Sequence, residues 1–155
     1  MRCCMQISLY TDYALRVLVY LSIHQNRLSS INEIATCYDI SQNHLMKVVH
    51  HLGKADLIST VRGRKGGLQL SRPPSEITLG SIVRHTEDTE QPIKCGKCII
   101  KEACAIKTII HKAFDAFYNV LDQYTLDCIL QDYDKLEVLL TTIRPQHIDC
   151  KTTFS

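Results

Sequence analysis

Residues 30 to 52 constrain the fold most, because they hold two helix patterns separated by a short break. Ser30 and Glu33 have the spacing of a capping box, which predicts that a short helix begins there. The letters "YDIS" end this helix, and Ser41 can cap the next one, "QNHLMKVVHHLGKAD". The apolar positions of that later helix recur every three or four residues and predict a buried face of Leu45, Val48, Val49 and Leu52. A short helix, a tight turn and a helix with a polar front are typical of a helix-turn-helix.

The flanking segments extend this motif. Upstream, "TDYALRVLVYLSIH" has helical spacing, and its predicted inward positions are Tyr13, Ala14, Val17, Leu18 and Leu21. Downstream, Ile58 to Val61 and Leu68 to Leu70 predict two short strands, joined by the Gly-rich basic tip "RGRKGG". Three helices followed by a basic hairpin are the layout of a winged helix-turn-helix. We therefore predict a mainly α chain with a small β-hairpin wing. A long dimerisation helix, predicted from the second half of the chain, completes the fold class.

The charge is divided unevenly along the chain. Residues 1–75 carry nine Lys and Arg against four Asp and Glu, a net of +5, whereas residues 76–155 carry nine against twelve, a net of −3. A basic module joined to an acidic one indicates a polyanion partner for the first.

The predicted contacts with double-stranded promoter DNA follow from the motif. The first residues of the third helix would meet base edges in the major groove, and these are Gln42, Asn43 and His44, with Lys47 one turn further on. The wing residues that would follow the backbone or enter the minor groove are Arg62, Arg64 and Lys65. The alternative is a solvated helix face beside an ordinary charged turn, and winged helices also bind RNA or proteins.

Three of the eight cysteines lie close together in "IKCGKCIIKEACAIK". They are Cys95, Cys98 and Cys104, and neighbouring lysines favour the thiolate form that binds metals. Three ligands fall one short of a closed zinc site, while an iron–sulfur cluster tolerates a fourth ligand that is not cysteine. Two alternatives stay open. One is a zinc site that His85 or His111 completes by folding back, and the other is three thiols that bind no metal.

The second half of the chain predicts a dimer. A long amphipathic helix begins at about Ala105, and Thr125 can cap a short helix after it. The apolar stripe of the long helix consists of Ile106, Ile109, Ile110, Ala113, Phe114, Phe117, Val120, Leu121 and Tyr124. A stripe of this length needs a partner, and a second copy of the same helix is the simplest one.

The predicted domains follow in chain order. They are the winged helix-turn-helix DNA-binding domain (1–75), a connecting helix capped by Thr78 with the cysteine loop (76–104), the dimerisation helix and a short terminal helix (105–135), and a loose tail (136–155).

From about Met5 to Tyr133 the chain resembles bacterial winged-helix repressors that carry an iron–sulfur cluster. "TDYALRVLVYL" looks like the family's opening helix, "ISQNHLMKVVHHL" like its recognition helix and "VRGRKGGLQL" like its wing, and the three cysteines fall where the family's ligands fall. The pair Asn43 and His44 is similar to the nitric-oxide-sensitive branch. The resemblance implies a homodimer that represses from a near-palindromic site and senses nitric oxide, redox state, iron or cluster supply.

The resemblance also implies a ligand set. Cys95, Cys98 and Cys104 would hold the cluster, and the fourth ligand would be Asp12 of the other subunit, as in the nitric-oxide branch. A 4Fe-4S cluster is favoured and a 2Fe-2S cluster stays open. The assembly-regulator branch has a ligating histidine where this chain has Lys107, and the two residues between Cys95 and Cys98 are fewer than the family's usual four or five.

Other function classes lack a sequence basis. The start of the chain has no signal-peptide core and no apolar run approaches a membrane span, so we expect a cytoplasmic protein. "GRKGG" lacks the spacing of a nucleotide loop and no dinucleotide fingerprint is present, so we expect no enzyme. The alternatives are a zinc- or thiol-dependent regulator of the same fold, an iron–sulfur or thiol redox protein that does not bind DNA, and a protein–protein adaptor.

Overall fold

The computed structural model describes residues 7–87, 99–100, 104–130 and 133–142. In chain order the elements are α1 (Leu9–Ile23), α2 (Ile31–Tyr38), α3 (Gln42–Lys54), β1 (Ile58–Val61), β2 (Gly67–Leu70), a 3-10 turn (Pro74–Glu76), α4 (Leu79–Thr86), α5 (Ile106–Leu121), α6 (Leu126–Ile129) and α7 (Tyr133–Thr142). The mainly helical chain with one antiparallel hairpin confirms the predicted fold class. Among the described residues, no helix has the length and apolar character needed to cross a membrane.

Two of the predicted helix caps are present. The Ser30 side chain accepts a hydrogen bond from the Glu33 backbone N–H, and the Glu33 carboxylate accepts one from the Ser30 N–H, which completes the capping box at the start of α2. The Thr78 side chain accepts from the Ser81 N–H at the start of α4. Each such cap satisfies a backbone N–H that the helix itself leaves without a partner.

Two other predicted helix caps are wrong, because the side-chain hydrogen bond that defines a cap is not formed. Helices α3 and α6 begin directly after Ser41 and Thr125, as expected, but neither side chain makes a capping hydrogen bond. In α3 the buried face supplies the stabilisation instead, because burying one leucine or valine side chain contributes about 1.5–3 kcal/mol, more than a typical cap. The α3 residues that are buried are Leu45, Val48, Val49 and Leu52.

One core joins the helix-turn-helix to the later helices. Residues from α1, α2 and α3 form most of it, and the fully buried large side chains include Leu18, Leu21, Ile34, Leu45, Leu52 and Leu57. Ile77, Ile82 and Leu126 reach the same core from the segments after the wing. Helices α4 and α6 are therefore part of one packed unit with the helix-turn-helix.

The wing is held at its base and turns tightly at its tip. The pairing register runs from Ile58 opposite Leu70 to Val61 opposite Gly67, and strand β2 also pairs with Ser29 through Leu68. At the tip Gly63 has a φ of +115°, a conformation that other residues adopt only with strain. A Cβ on Gly66 would lie 2.1 Å from the Val61 carbonyl oxygen, so a larger residue there would require the wing backbone to shift.

The first part of the predicted loose tail is helical. Helix α7 runs to Thr142 and therefore includes residues 136–142. Leu136 and Leu140 lie one helical turn apart and are half-buried, and Leu140 packs against the core. The thiol of Cys37 on α2 donates to the Leu140 carbonyl oxygen at 3.6 Å. The helical spacing of Leu136 and Leu140 is visible in the sequence. The core against which Leu140 packs is formed by helices that are distant along the chain.

Candidate nucleic-acid interface and metal site

The front of α3 is a free polar surface. Gln42, Asn43, His44 and Lys47 are all exposed, while the opposite face of the helix is buried in the core. Amide, imidazole and ammonium groups on one exposed helix face can donate to and accept from base edges and phosphates. The four residues predicted to meet DNA are therefore positioned by a rigid, buried support.

The wing tip presents three exposed cations, Arg62, Arg64 and Lys65. None of them takes part in the ion pairs that occur among the described residues. Unneutralised guanidinium and ammonium groups on a short hairpin attract phosphate oxygens and release counterions from DNA when they bind. The tip is thus electrostatically suited to a nucleic-acid backbone.

Helix α1 contacts α3 through Tyr10 and Tyr13, which sequence patterns did not assign to the site. The Tyr13 ring stacks on the His44 ring with centroids 6.3 Å apart. The Tyr10 ring meets His51 edge-on at 5.8 Å, and the Tyr10 hydroxyl donates to the Lys47 carbonyl oxygen at 3.3 Å. The start of α1 therefore contacts α3 near its first turn, at His44, and again further along, at Lys47 and His51.

Asp12 lies in the first turn of α1, between these two tyrosines in sequence. Its Oδ2 accepts a hydrogen bond from Arg16 Nε at 3.0 Å, and the two side chains are 42% and 44% exposed. An exposed ion pair of this spacing stabilises a helix by only about 0.3–0.5 kcal/mol. The carboxylate can therefore exchange Arg16 for another partner at small cost.

Of the three predicted cysteine ligands, only Cys104 is described. Its thiol is free and half-buried, two residues before α5 begins. Cys95 and Cys98 lie outside the described residues. Within the described ranges, no group of three or more His, Cys, Asp and Glu side chains could hold a metal ion. A metal site built on Cys104 therefore needs ligands from outside the described residues or from another chain.

The end of α4 is tied to the start of α1. Glu87 Oε1 accepts hydrogen bonds from the Ser8 backbone N–H at 2.7 Å and from the Thr11 hydroxyl at 2.5 Å. Thr11 is fully buried, and its hydroxyl also lies 2.8 Å from that of Thr86. Burial alone would raise the pKa of the Glu87 carboxyl, but the hydrogen bonds from Thr11 and Ser8 hold that pKa below its ordinary value.

Helix α4 is also tied to the end of α5. The Arg84 guanidinium donates two hydrogen bonds to the Asp122 carboxylate, at 2.7 and 2.6 Å, and lies 4.4 Å from the centroid of the Tyr118 ring. The bond with Arg84 holds the pKa of the Asp122 carboxyl below its ordinary value. Gly80 permits this approach, because a Cβ there would lie 2.0 Å from Asp122 Oδ1. Helix α4 thus connects α5 with α1.

Comparisons with known proteins agree on one family. The family model Rrf2, described as an iron-dependent transcriptional regulator, matches residues 7–132. The HTH-type transcriptional regulator NsrR of Halalkalibacterium halodurans is 44% identical over 142 residues, which cover 88% of this chain and 97% of that protein. The protein of the same name from Bacillus subtilis is 39% identical over 142 residues, with the same shares covered.

Solved structures show the same architecture. T. potens IscR superposes with a TM-score of 0.67 at 27% identity, covering 86% of this chain and 91% of that one. CymR (YrzC), the global cysteine regulator of B. subtilis, superposes with a TM-score of 0.66 at 28% identity, covering 81% and 96%. The NsrR, IscR and CymR relatives are regulators rather than enzymes.

Proposed function

Since this chain belongs to the Rrf2 family of transcriptional regulators, we propose that it is a DNA-binding repressor whose iron–sulfur cluster makes repression sensitive to nitric oxide. Membership of the family confirms the resemblance drawn from the sequence, and with it the expectation of a regulator rather than an enzyme. The NsrR-named relatives, 39–44% identical, support the nitric-oxide branch. The observation that carries the proposal is that α1 holds both Asp12 and the tyrosines that contact α3.

The proposed ligands are three thiolates and one carboxylate. Cys95, Cys98 and Cys104 would hold the cluster in one subunit, and Asp12 of a second copy would complete it. Thiolates are the usual ligands of iron–sulfur clusters, and the exposed Asp12 carboxylate, whose ion pair with Arg16 is weak, is available as a fourth. A 4Fe-4S cluster with Asp12 is favoured over a 2Fe-2S cluster. When bound, the cluster would supply iron that reacts with nitric oxide.

The chain's own residues convert this reaction into a change in DNA binding. Tyr13 and Tyr10 connect the first turn of α1 to His44 and to the Lys47 backbone, so a cluster that binds Asp12 would also fix these contacts. Release of Asp12, which pairs with Arg16 in this structure, would remove that additional constraint from the first turn of α1. Binding of Asp12 to the cluster would thereby favour the arrangement of α1 and α3 that fits DNA. This is a shift in the populations of two conformations.

Repression requires two correctly spaced copies of α3, and we propose that α5 supplies the dimer contact. Ile106, Ile109 and Val120 on α5 are 49%, 61% and 54% exposed in the single chain. Large apolar side chains in one stripe are stabilised when a second helix covers them. The two recognition helices of such a dimer must lie about one turn of DNA apart, roughly 34 Å, so a small movement of α1 and α3 weakens both contacts together.

The first experiment is an anaerobic purification followed by iron and sulfide analysis, an absorption spectrum, and promoter binding before and after nitric oxide. We expect iron and sulfide in near-equal amounts, with loss of visible absorbance and of DNA binding on nitric oxide addition. Zinc, or no metal, would contradict the cluster and favour a thiol- or zinc-dependent regulator of the same fold.

A variant tests the proposed fourth ligand. Asp12→Ala should change the visible spectrum and weaken the response of DNA binding to nitric oxide, whereas Asp127→Ala removes an exposed carboxylate from α6 and should change neither. If Asp12→Ala left the spectrum and the response intact, the proposed carboxylate ligand would be wrong.

A further inference from the structure

We propose that Glu87 is a positioning residue that holds the first turn of α1, and with it Asp12, in register with α4 and α5. This inference rests on the proposed function and adds to it the connection through which the state of the cysteine segment reaches α1. Glu87 follows α4 directly and is the last described residue before the segment that contains Cys95 and Cys98.

The geometry of the contact supports a tie rather than an incidental surface contact. Glu87 Oε1 receives two hydrogen bonds from the first turn of α1, at 2.5 and 2.7 Å, and one donor is the fully buried hydroxyl of Thr11. Charge-assisted hydrogen bonds of this length are about twice as strong as those between neutral groups. A displacement of Glu87 by about 1 Å would therefore break both bonds or move α1 with it.

Ordinary helix capping does not account for this contact. The Ser8 side chain already caps α1 by accepting from the Thr11 N–H at 3.2 Å, so the helix has a local cap. The Glu87 carboxylate adds a connection across 79 residues of sequence, from the end of one helix to the start of another. One of its two partners, Thr11, directly precedes Asp12 in the chain.

Helix α4 is held at two places, which makes it suited to transmit a displacement. Arg84 joins it to Asp122 at the end of α5, while Glu87 joins it to Ser8 and Thr11. The body of α4 is fixed by Ile82 in the core. A rigid helix with one bonded contact at the dimerisation helix and another at α1 couples the two parts physically.

The contact itself is tested in the metal-free protein by hydrogen exchange. In Glu87→Ala the backbone amides of residues 7–14 should exchange faster than in the wild type, because the Ser8 N–H loses its acceptor. Glu87→Gln keeps an acceptor oxygen and should restore slow exchange. Glu76→Ala removes an exposed carboxylate elsewhere and should leave this segment unchanged. Unchanged exchange in Glu87→Ala would overturn the proposal.

The role of Glu87 is tested on the protein that carries the cluster. The measured quantity is the promoter Kd after nitric oxide addition divided by the promoter Kd before it. We expect Glu87→Ala to lower this ratio about fivefold or more, since couplings between sites are typically about 5- to 150-fold. Cluster content should stay at the wild-type level, and Glu87→Gln should recover most of the ratio. Thr11→Val removes the buried donor from the α1 side and should lower the ratio similarly.

The outcomes separate this inference from the proposed function. A wild-type protein without a cluster, or without a response to nitric oxide, would remove both. A normal wild-type ratio that persists in Glu87→Ala would remove only the role of Glu87. If Glu87→Ala fails to fold or to load, Thr11→Val decides: a reduced ratio supports the tie, and a wild-type ratio overturns it.

Discussion

The ring of Tyr13 on α1 stacks on the imidazole of His44 on α3, with centroids 6.3 Å apart and planes inclined by 25°. His44 is exposed at the front of α3, where the helix would meet base edges. One face of the ring is therefore held by α1 while its edge stays free to hydrogen-bond. The contact links the orientation of a DNA-facing side chain to the position of the first helix.

Removal of the Tyr13 ring should weaken promoter binding without unfolding the protein. An aromatic pair contributes about 0.5–1.5 kcal/mol, so Tyr13→Ala should raise the promoter Kd by about two- to tenfold. Tyr13→Phe keeps the stacked ring and should bind nearly as the wild type does. Fluorescence anisotropy on a labelled promoter measures both. Equal affinities of the Ala and Phe variants would show that the stacking does not orient His44.

The wing cations should contribute affinity on every DNA sequence. Each DNA phosphate that the protein neutralises adds about 0.9 to the slope of log K against log salt, so Arg62→Ala and Arg64→Ala should each flatten that slope by about one. The expected weakening is similar on promoter and unrelated DNA. Lys135→Ala removes an exposed positive charge from α7 and serves as the matched control. An unchanged salt slope would exclude the wing from the interface.

The Glu33 carboxylate should make folding stability depend on pH. Its hydrogen bond with Arg27 is the largest cause that holds its pKa at about 2, against burial, which acts in the opposite direction; the ordinary value is 4.5. Because the folded pKa is the lower one, the stabilisation is complete above about pH 4.5 and is lost as the pH falls toward 2.

Glu33→Gln measures this contribution. Since the Glu33 side chain is 35% exposed, solvent screening reduces the expected loss at pH 7 to about 1 kcal/mol in the free energy of unfolding. Denaturant unfolding at pH 7 and pH 3 should show a smaller difference between variant and wild type at the lower pH. A difference that does not change with pH would contradict the assigned cause.

The same substitution at two glycines should have opposite effects. A Cβ on Gly66 would lie 2.1 Å from the Val61 carbonyl oxygen, so Gly66→Ala must displace the wing backbone and destabilise it. Gly53 lies in α3 with open space around its Cβ position, so Gly53→Ala should stabilise the protein by about 0.5–1 kcal/mol. Thermal unfolding separates the two. A stable Gly66→Ala would show that the tip has room to relax.

Local patterns in the sequence predicted most of the helices and strands. They did not predict the contacts between residues that are far apart in the chain. Helix periodicity, the capping box at Ser30 and the glycines of the wing act over a few residues, so their signals are contiguous. The bond from Ser8 to Glu87 joins residues 79 apart, and that from Arg84 to Asp122 joins residues 38 apart. No spacing rule pairs such residues, because their proximity results from the packing of whole helices.

The residues of the candidate site fall into the same two groups, those with a local sequence signal and those placed by long-range packing. The exposed residues of α3 and the wing were predictable, since a polar face on an amphipathic helix and a basic hairpin tip are both local features. The roles of Tyr10 and Tyr13 were not, because a tyrosine at helical spacing is most simply assigned to the core. Both pack against the core from α1, and each ring also contacts a histidine of α3.

A charge placed on the exposed stripe of α5 should separate the proposed dimer. Ile109 is 61% exposed in the single chain, and burial against a second α5 would remove it from water. Burying a charged side chain without a partner is strongly unfavourable, so Ile109→Glu should shift the protein to a monomer in sedimentation velocity. Promoter affinity should fall together with the dimer, because a monomer presents one recognition helix to a two-part site.

The matched control for this dimer test lies on α7. Leu139→Glu introduces the same charge at a position that is 48% exposed, and it should leave the dimer intact because α7 is outside the proposed contact. A wild type that is monomeric at the concentrations used for promoter binding would contradict the dimer itself. A dimer that survives Ile109→Glu but not Leu139→Glu would place the contact on α7 and not on α5.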